Sequence, residues 1–292
     1  MAHTFLEDVI DQQQWLEPTG DTLQQAIGKV AKREGTPRAI KDALNGVWFG
    51  HPLHPALTDL PLGAWSVSFL LDLASLGGSK AARRGADISL GIGIVGAVAS
   101  ALTGLADWQD TYGRERRVGL LHGLLNTTAL TFYTSSWMLR RNKRRSAALF
   151  FSTWGYCTAV LSAYLGGELV FGQGTGVNHA AWLEAPEDYT AVMDEAALQA
   201  DKPTRVMAGN TPVMLVRHHG DIYALTAVCT HAGGPLDEGT LEDTTIVCPW
   251  HGSRFGLKDG CVLGGPATFA ERTFDVRIRA GKIELRRSPE HI

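Results

Sequence analysis

Cysteine is scarce, with 4 in 292 residues, and neither sign of charge prevails: 27 Lys and Arg stand against 30 Asp and Glu, a net charge of -3. No basic patch offers a surface suited to nucleic acid, so no nucleic-acid partner is expected. A mean hydropathy of -0.04 conceals a very uneven distribution. Charge is missing altogether from Ile88 to Ala106, Val118 to Leu139 and Ala147 to Gly167, and Leu60 to Leu76 carries only Asp72. Each run is close to the ~20 residues that cross the ~30 Å hydrocarbon layer as a helix. A core helix of a soluble bundle keeps a charged face; three of these runs have none. Small residues such as Gly91, Gly93, Gly96, Ala97, Ala99 and Ser100 suit close helix contact in lipid. Four membrane spans are the expectation.

Loop charge then orients the spans. Lys80, Arg83 and Arg84 follow the first run, and Arg140, Arg141, Lys143, Arg144 and Arg145 follow the third; on the other side stand Lys41, Arg114, Arg116 and Arg117. The richer side is expected to be cytoplasmic, which places the N-terminus, the middle loop and everything after the fourth run on the outer, periplasmic face of a bacterial cytoplasmic membrane. Arg140-Arg141 and Arg144-Arg145 resemble a twin-arginine export signal, and equally a stop-transfer basic cluster. Residues 1 to 45 are polar and amphipathic, with helical spacing at Leu23, Ile27 and Val30, and contain no cleavable signal peptide.

Alternating helix directions bring one end of each run to the same membrane face. His51 and His54, in the stretch Gly50-His51-Pro52-Leu53-His54-Pro55, precede the first run; Asp107 ends the second, His122 opens the third and His179 follows the fourth. Histidines at membrane depth are costly without a partner and mark a candidate functional site. His51, His54, His122 and His179 are therefore candidate ligands of haem b or contacts of a quinone, against the alternative of a structural or proton-carrying hydrogen-bond network. Residues from about 45 to 180 resemble a bacterial four-span membrane family of uncharacterised function, marked by the HPxHP stretch, Asp107-Trp108 and the Gly-rich end of the fourth run.

Further along, Cys229, His231, Cys248 and His251 form the pattern CxHx16CxxH. Two thiolates and two imidazoles can hold a [2Fe-2S] cluster, sulfur on one iron and nitrogen on the other, or a zinc ion. Zinc ligands usually come in pairs spaced by two to four residues, whereas one residue separates Cys229 from His231. Gly233-Gly234-Pro235 follows the first pair and Gly252 the second, permitting close backbone approach to a negatively charged group.

On these residues, about 183 to 288 resemble a Rieske domain, and Gly264-Gly265-Pro266 resembles its third, proline-containing loop. The resemblance implies that Cys229 and Cys248 bind one iron and His231 and His251 the other. Gly234 and Trp250 stand where members from cytochrome bc complexes carry a tethering disulfide. Ser253 keeps a hydroxyl that can donate to a cluster sulfide, while Phe255 stands where high-potential members have tyrosine. Fewer donors leave the reduced cluster less stabilised, so a lower, ferredoxin-like potential is expected. With Cys229 and Cys248 assigned, Cys157 and Cys261 leave no disulfide framework.

Alternating runs at Pro212 to Arg217, Asp221 to Thr226, Thr244 to Val247, Thr273 to Arg279 and Lys282 to Arg286 read as short antiparallel strands, with turns at His219-Gly220 and Ala280-Gly281. Gly172, Gly174 and Gly176 do not follow a strand and open a helix, so they form a hinge rather than a phosphate loop. The expected fold class is α+β with two domains: a four-helix transmembrane bundle, then an all-β Rieske domain with an inserted cluster-binding lobe. The boundaries are an amphipathic helical segment over 1–45, a four-span domain over 46–172, a linker over 173–182 and the Rieske domain over 183–288.

The function this implies is single-electron transfer as a component of an oxidoreductase system, with no catalytic residues of its own. Expected partners are the lipid membrane and a quinone, haem or redox protein, with a homo-oligomer also open. The alternatives are a ferredoxin-like donor to a separate oxygenase and a redox sensor. An oxygenase subunit needs two further histidines and a carboxylate for its iron; His291 is the one histidine after His251.

Overall fold

In the computed structural model, residues 10–31 and 38–289 are described; His291 lies outside them, as do residues 1–9 of the N-terminal segment. The chain is α+β and divides into two compact units, one of residues up to 31 with 53–175, the other of 38–52 with the residues from 176 onward.

The first unit is helical: α1 (Leu16–Ala31), α3 (Leu53–Ser75), α4 (Lys80–Trp108), α5 (Gly113–Arg141) and α6 (Arg145–Gly167). Helix α4 and the stretch Arg145–Gly172 are long and apolar enough to cross a membrane. Many large apolar side chains face outward while small polar ones are buried. Leu70, Leu76, Ile88, Val95, Leu102 and Phe150 are exposed, while Ser68, Ser75, Ser100, Thr103, Ser136, Ser152 and Ser162 are buried. The serines satisfy themselves on nearby carbonyls, as Ser100 does on Gly96, so small polar residues line the interior without an unpaired group. Amphipathic α1 packs Leu16 against Val118 and Leu120, and its Glu17 and Asp21 pair with Arg116.

The long helices are two copies of one hairpin. One constant shift takes His54, Trp65, Ser68 and Asp72 of α3 onto His122, Tyr133, Ser136 and Arg140 of α5, and another takes Ala86, Gly93, Ser100 and Gly104 of α4 onto Ala148, Gly155, Ser162 and Gly166 of α6. The contacts repeat with the residues: Ser68 donates to the Ala86 carbonyl at 3.0 Å and Ser136 to that of Ala148 at 2.7 Å. Counterparts also meet each other. Trp65 stacks on Tyr133 with ring centres 4.0 Å apart, and Asp72 pairs with Arg140. Self-pairing of equivalent residues is the property of a twofold relation, and parallel repeats of this kind turn about an axis along the membrane normal.

At the loop end of this axis Arg140 bridges Asp72 and Asp87, the latter at 2.6 Å, and Arg145 joins Asp72 at 2.6 Å and also Asp87. Two of the arginines in the basic run are thus structural pairs. Arg140 and Asp72 are both almost completely buried. Removing one partner of a buried pair leaves an uncompensated charge, so Asp72→Asn is expected to cost about 3–5 kcal/mol. A thermal-unfolding series in detergent should show the loss, and the double change Asp72→Leu with Arg140→Met should recover most of it.

The described residues of the second unit form α2 (Arg38–Asn45) and the strands β1 (Thr190–Asp194), β2 (Thr204–Ala208), β3 (Thr211–His218), β4 (Asp221–Thr226), β5 (Thr240–Glu242), β6 (Thr245–Val247), β7 (Arg254–Gly256), β8 (Val262–Gly264), β9 (Phe274–Arg279) and β10 (Lys282–Arg287). They form antiparallel sheets in the orders β1-β10-β9, β2-β3-β4 and β5-β6-β7-β8. Strand β3 shows why its run reads apolar on both sides: Val213 and Leu215 enter the core of the base, whereas Met214 and Val216 enter the core beneath the inserted lobe. The two expected tight turns have positive φ at both central residues, His219 and Gly220 in one and Ala280 and Gly281 in the other, the twist that two-residue hairpins demand.

Candidate metal centre

Strand β4 delivers the first ligand loop and the β6–β7 connection the second. Each loop closes on its cysteine. The Cys229 N–H donates to the Gly234 carbonyl at 2.8 Å and the Gly233 N–H to Cys229; the Cys248 N–H donates to Ser253 at 2.8 Å and the Gly252 N–H to Cys248. Gly233 and Gly252 occupy the left-handed region, with φ of 78 and 74 degrees, which glycine adopts without strain.

The four expected donors come together. Cys229 and Cys248 are buried, both as free thiols, in a core shared with Phe255, Leu236 and Ile246. The rings of His231 and His251 have centres 5.0 Å apart at 86 degrees. Two imidazoles that share a tetrahedral metal at ~2.0 Å bond length have ring centres about 5 Å apart. Burial, then the neighbouring His251, Lys41 and His179, push His231 down to about 3, so it is neutral, the form that binds metal. Its Nδ1 is buried with no hydrogen-bond partner among the described residues. A buried lone pair in that condition is explained by a ligand atom, and the donor set fits an iron–sulfur group.

The places expected to lack a disulfide are adjacent. A Cβ at Gly234 would lie 3.1 Å from the Trp250 ring and 2.8 Å from the Cys248 Sγ, so only glycine fits beside this thiol. Ser253 is fully buried and its Oγ accepts the Ala267 N–H at 3.0 Å, which leaves the hydroxyl proton to donate elsewhere. Phe255 is fully buried and offers no donor.

Helix α2 completes the surroundings, a role that its position far from the ligands in the chain conceals. Arg38 donates to the Gly252 carbonyl at 2.9 Å and Asp42 accepts the Gly265 N–H at 2.9 Å, fixing the second and third loops. The four candidate histidines separate. His51, at the end of this segment, lies 5.4 Å from the Phe269 ring, and the His179 N–H donates to the Thr230 carbonyl beside the ligand loop. His54 and His122 meet within the helical unit, ring centres 6.3 Å apart.

Sequence reasoning also missed Glu271, which is entirely buried behind the first loop. The Thr230 N–H donates to its Oε1 at 2.6 Å, and Oε2 has no partner among the described residues. Burial raises it to about 8, so the carboxyl is protonated at neutral pH. Nothing in the run Phe269-Ala270-Glu271-Arg272 distinguishes it from a surface acid.

Two outcomes are expected. Gly234→Ala should displace the Cys248 thiol and lower the iron content of the purified protein several-fold. The second concerns pH: the folded chain keeps a proton on Glu271 that an unfolded one, with a value near 4.5, releases. Stability therefore falls as pH rises from about 4.5 to about 8. Glu271→Gln lacks that slope, so its unfolding midpoint relative to the parent should rise across this window. Parallel pH profiles for the two chains would refute the assignment.

Comparison with known proteins agrees with this geometry. Residues 188–275 match the Rieske [2Fe-2S] domain, and residues 50–179 match a family described as predicted membrane protein (DUF2231). Apoptosis-inducing factor 3 of Homo sapiens is 32% identical over 116 residues, which span 37% of this chain and 19% of that protein. The ferredoxin CarAc of Metapseudomonas resinovorans is 33% identical over 75 residues, 26% of this chain and 70% of its own length. The 3-phenylpropionate/cinnamic acid dioxygenase ferredoxin subunit of Escherichia coli K12 is 40% identical over 65 residues, 22% of this chain and 61% of that subunit. Among solved structures, the ferredoxin of carbazole 1,9a-dioxygenase from Nocardioides aromaticivorans IC177 aligns over 35% of this chain and 100% of its own, at 27% identity and a TM-score of 0.33. With the ligand loops, their glycines and the β scaffold in place, the chain belongs to the Rieske [2Fe-2S] family, joined to a DUF2231 membrane domain.

Proposed function

We propose that this protein is a membrane-anchored electron carrier whose cluster is held by Cys229 and Cys248 on one iron and by His231 and His251 on the other. The cluster, when bound, supplies reversible transfer of one electron. The observation that carries the reading is the buried pair of thiols next to two imidazoles at ligand-sharing distance, one with an Nδ1 unpartnered among the described residues. The chain's own part is to exclude water with Phe255, Leu236 and Ile246, to hold the loops through Arg38 and Asp42, and to aim the Ser253 hydroxyl from a buried position.

The outward-facing apolar side chains support four spans, and the basic residues at Lys80, Arg83 and Arg84 and from Arg140 to Arg145 favour a cytoplasmic position for those loops. The cluster domain then lies on the periplasmic side, its donor or acceptor a quinone, a haem or a membrane redox protein. A second reading, a cytoplasmic donor to a separate oxygenase, draws on the relatives named as ferredoxin subunits of dioxygenases. Activity of a periplasm-dependent reporter fused after Ile292 distinguishes the two.

Purified protein reduced with dithionite is expected to give a rhombic electron paramagnetic resonance signal, with iron and acid-labile sulfide in equal amounts. With Phe255 unable to donate, a redox titration should find a potential below the high-potential Rieske range. Bound zinc in place of iron overturns the electron-carrier reading.

A further inference from the structure

The duplicated hairpin brings one more pair of counterparts together. His54 opens α3 and His122 lies about two and a half turns into α5, and their Nδ1 atoms are anchored alike. The His54 Nδ1 bonds the Ser100 carbonyl on α4 at 2.8 Å; the His122 Nδ1 bonds the Ser162 carbonyl on α6 at 2.8 Å. Each ring rests on a glycine one turn beyond that serine: a Cβ at Gly104 would lie 2.6 Å from His54 Cε1, and one at Gly166 would lie 3.2 Å from His122 Cε1. The carbonyls can only accept, so in each neutral ring Nδ1 carries the proton and Nε2 the lone pair. A backbone-anchored Nδ1–H that leaves the lone pair on Nε2 is how proteins orient an imidazole toward a metal.

The distance then fits one metal geometry. With an imidazole nitrogen ~2.0 Å from a metal, two ring centres are about 5 Å apart in a tetrahedral site and about 6.3 Å apart when the rings stand on opposite sides of the ion. The rings of His54 and His122 are 6.3 Å apart at 86 degrees. Among the described residues no third histidine, cysteine or carboxylate joins them in a metal-binding group. A metal held by two opposed nitrogens therefore has to bring its own equatorial ligands, which a haem does. No cysteine stands in a CxxCH stretch, so a covalent attachment is excluded.

We propose that His54 and His122 are the axial ligands of one non-covalent haem on the twofold axis of the membrane unit. The proposal goes beyond the cluster reading and stands or falls apart from it. The Asn126 amide now donates to the His122 Nε2 at 3.0 Å and must rotate away when iron binds. Its counterpart in the first hairpin, Thr58, bonds the Pro55 carbonyl instead.

The test is hemin titration of the detergent-solubilised full chain, followed by optical spectra before and after dithionite. One hemin per chain is expected, with the sharp α band of six-coordinate low-spin iron. His54→Ala and His122→Ala should each lower stoichiometric binding at least tenfold and abolish that band. His122→Met should still bind, at a raised potential, and Asn126→Leu should bind at least as well as the parent. Cluster resonance in the same samples reports folding. Cluster-containing protein that binds no hemin, or that binds it equally with both histidines replaced, overturns the haem and leaves the cluster reading intact; bound zinc in the cluster loops does the reverse.

Discussion

Two thiols buried in one core are the constraint on which the second unit depends. Their shared hydrogen bond, then burial, drives Cys229 far above the ordinary thiol range, while the same bond pulls Cys248 below it. The two sulfurs share one dry core, which places them to bind a common electrophile. Everything nearby serves to keep that pair fixed and dry. Glycines at 233, 234 and 252 let the backbone turn within reach of the sulfurs, the apolar core of β3, β6 and β7 closes beneath them, and a protonated Glu271 backs the first loop without adding a second buried negative charge.

The helical unit differs in burying many small and polar residues beside large ones such as Trp65, Leu90 and Tyr133. Ser68 and Ser136 spend their hydroxyls on carbonyls of the neighbouring helix, and glycines accept the large rings of Trp65 and Tyr133. Apolar bulk faces outward, where lipid is an equally good solvent for it. In such an interior an ion pair is tolerated only with its partners complete, as Asp72, Asp87, Arg140 and Arg145 are with one another.

Much of this was legible in the chain. Ligand spacing led directly to the four converging donors, period-two alternation located β3, β4, β9 and β10, and the charge-free runs marked the long helices. What escaped did so for identifiable reasons. Glu271 is an acid whose burial depends entirely on tertiary packing. Helix α2 clamps loops more than two hundred residues away in the chain, a relation no local pattern encodes. The duplication hides because counterparts differ: Trp65 answers Tyr133 and Asp72 answers Arg140, so the pairing is complementary rather than identical.

Of the three counterpart pairs described as meeting each other, the histidines are the like one. At Asp72 and Arg140 two identical charges on the axis would repel, and divergence to opposite signs converts repulsion into attraction. At Trp65 and Tyr133 any two flat rings stack, so identity is unconstrained. For His54 and His122 neither argument favours likeness, since two neutral imidazoles gain nothing from each other at 6.3 Å that a dissimilar pair would lose. Likeness is required when both must present the same atom to one object between them. The retained serine carbonyl and glycine seat in each hairpin fix that atom as Nε2 on both sides.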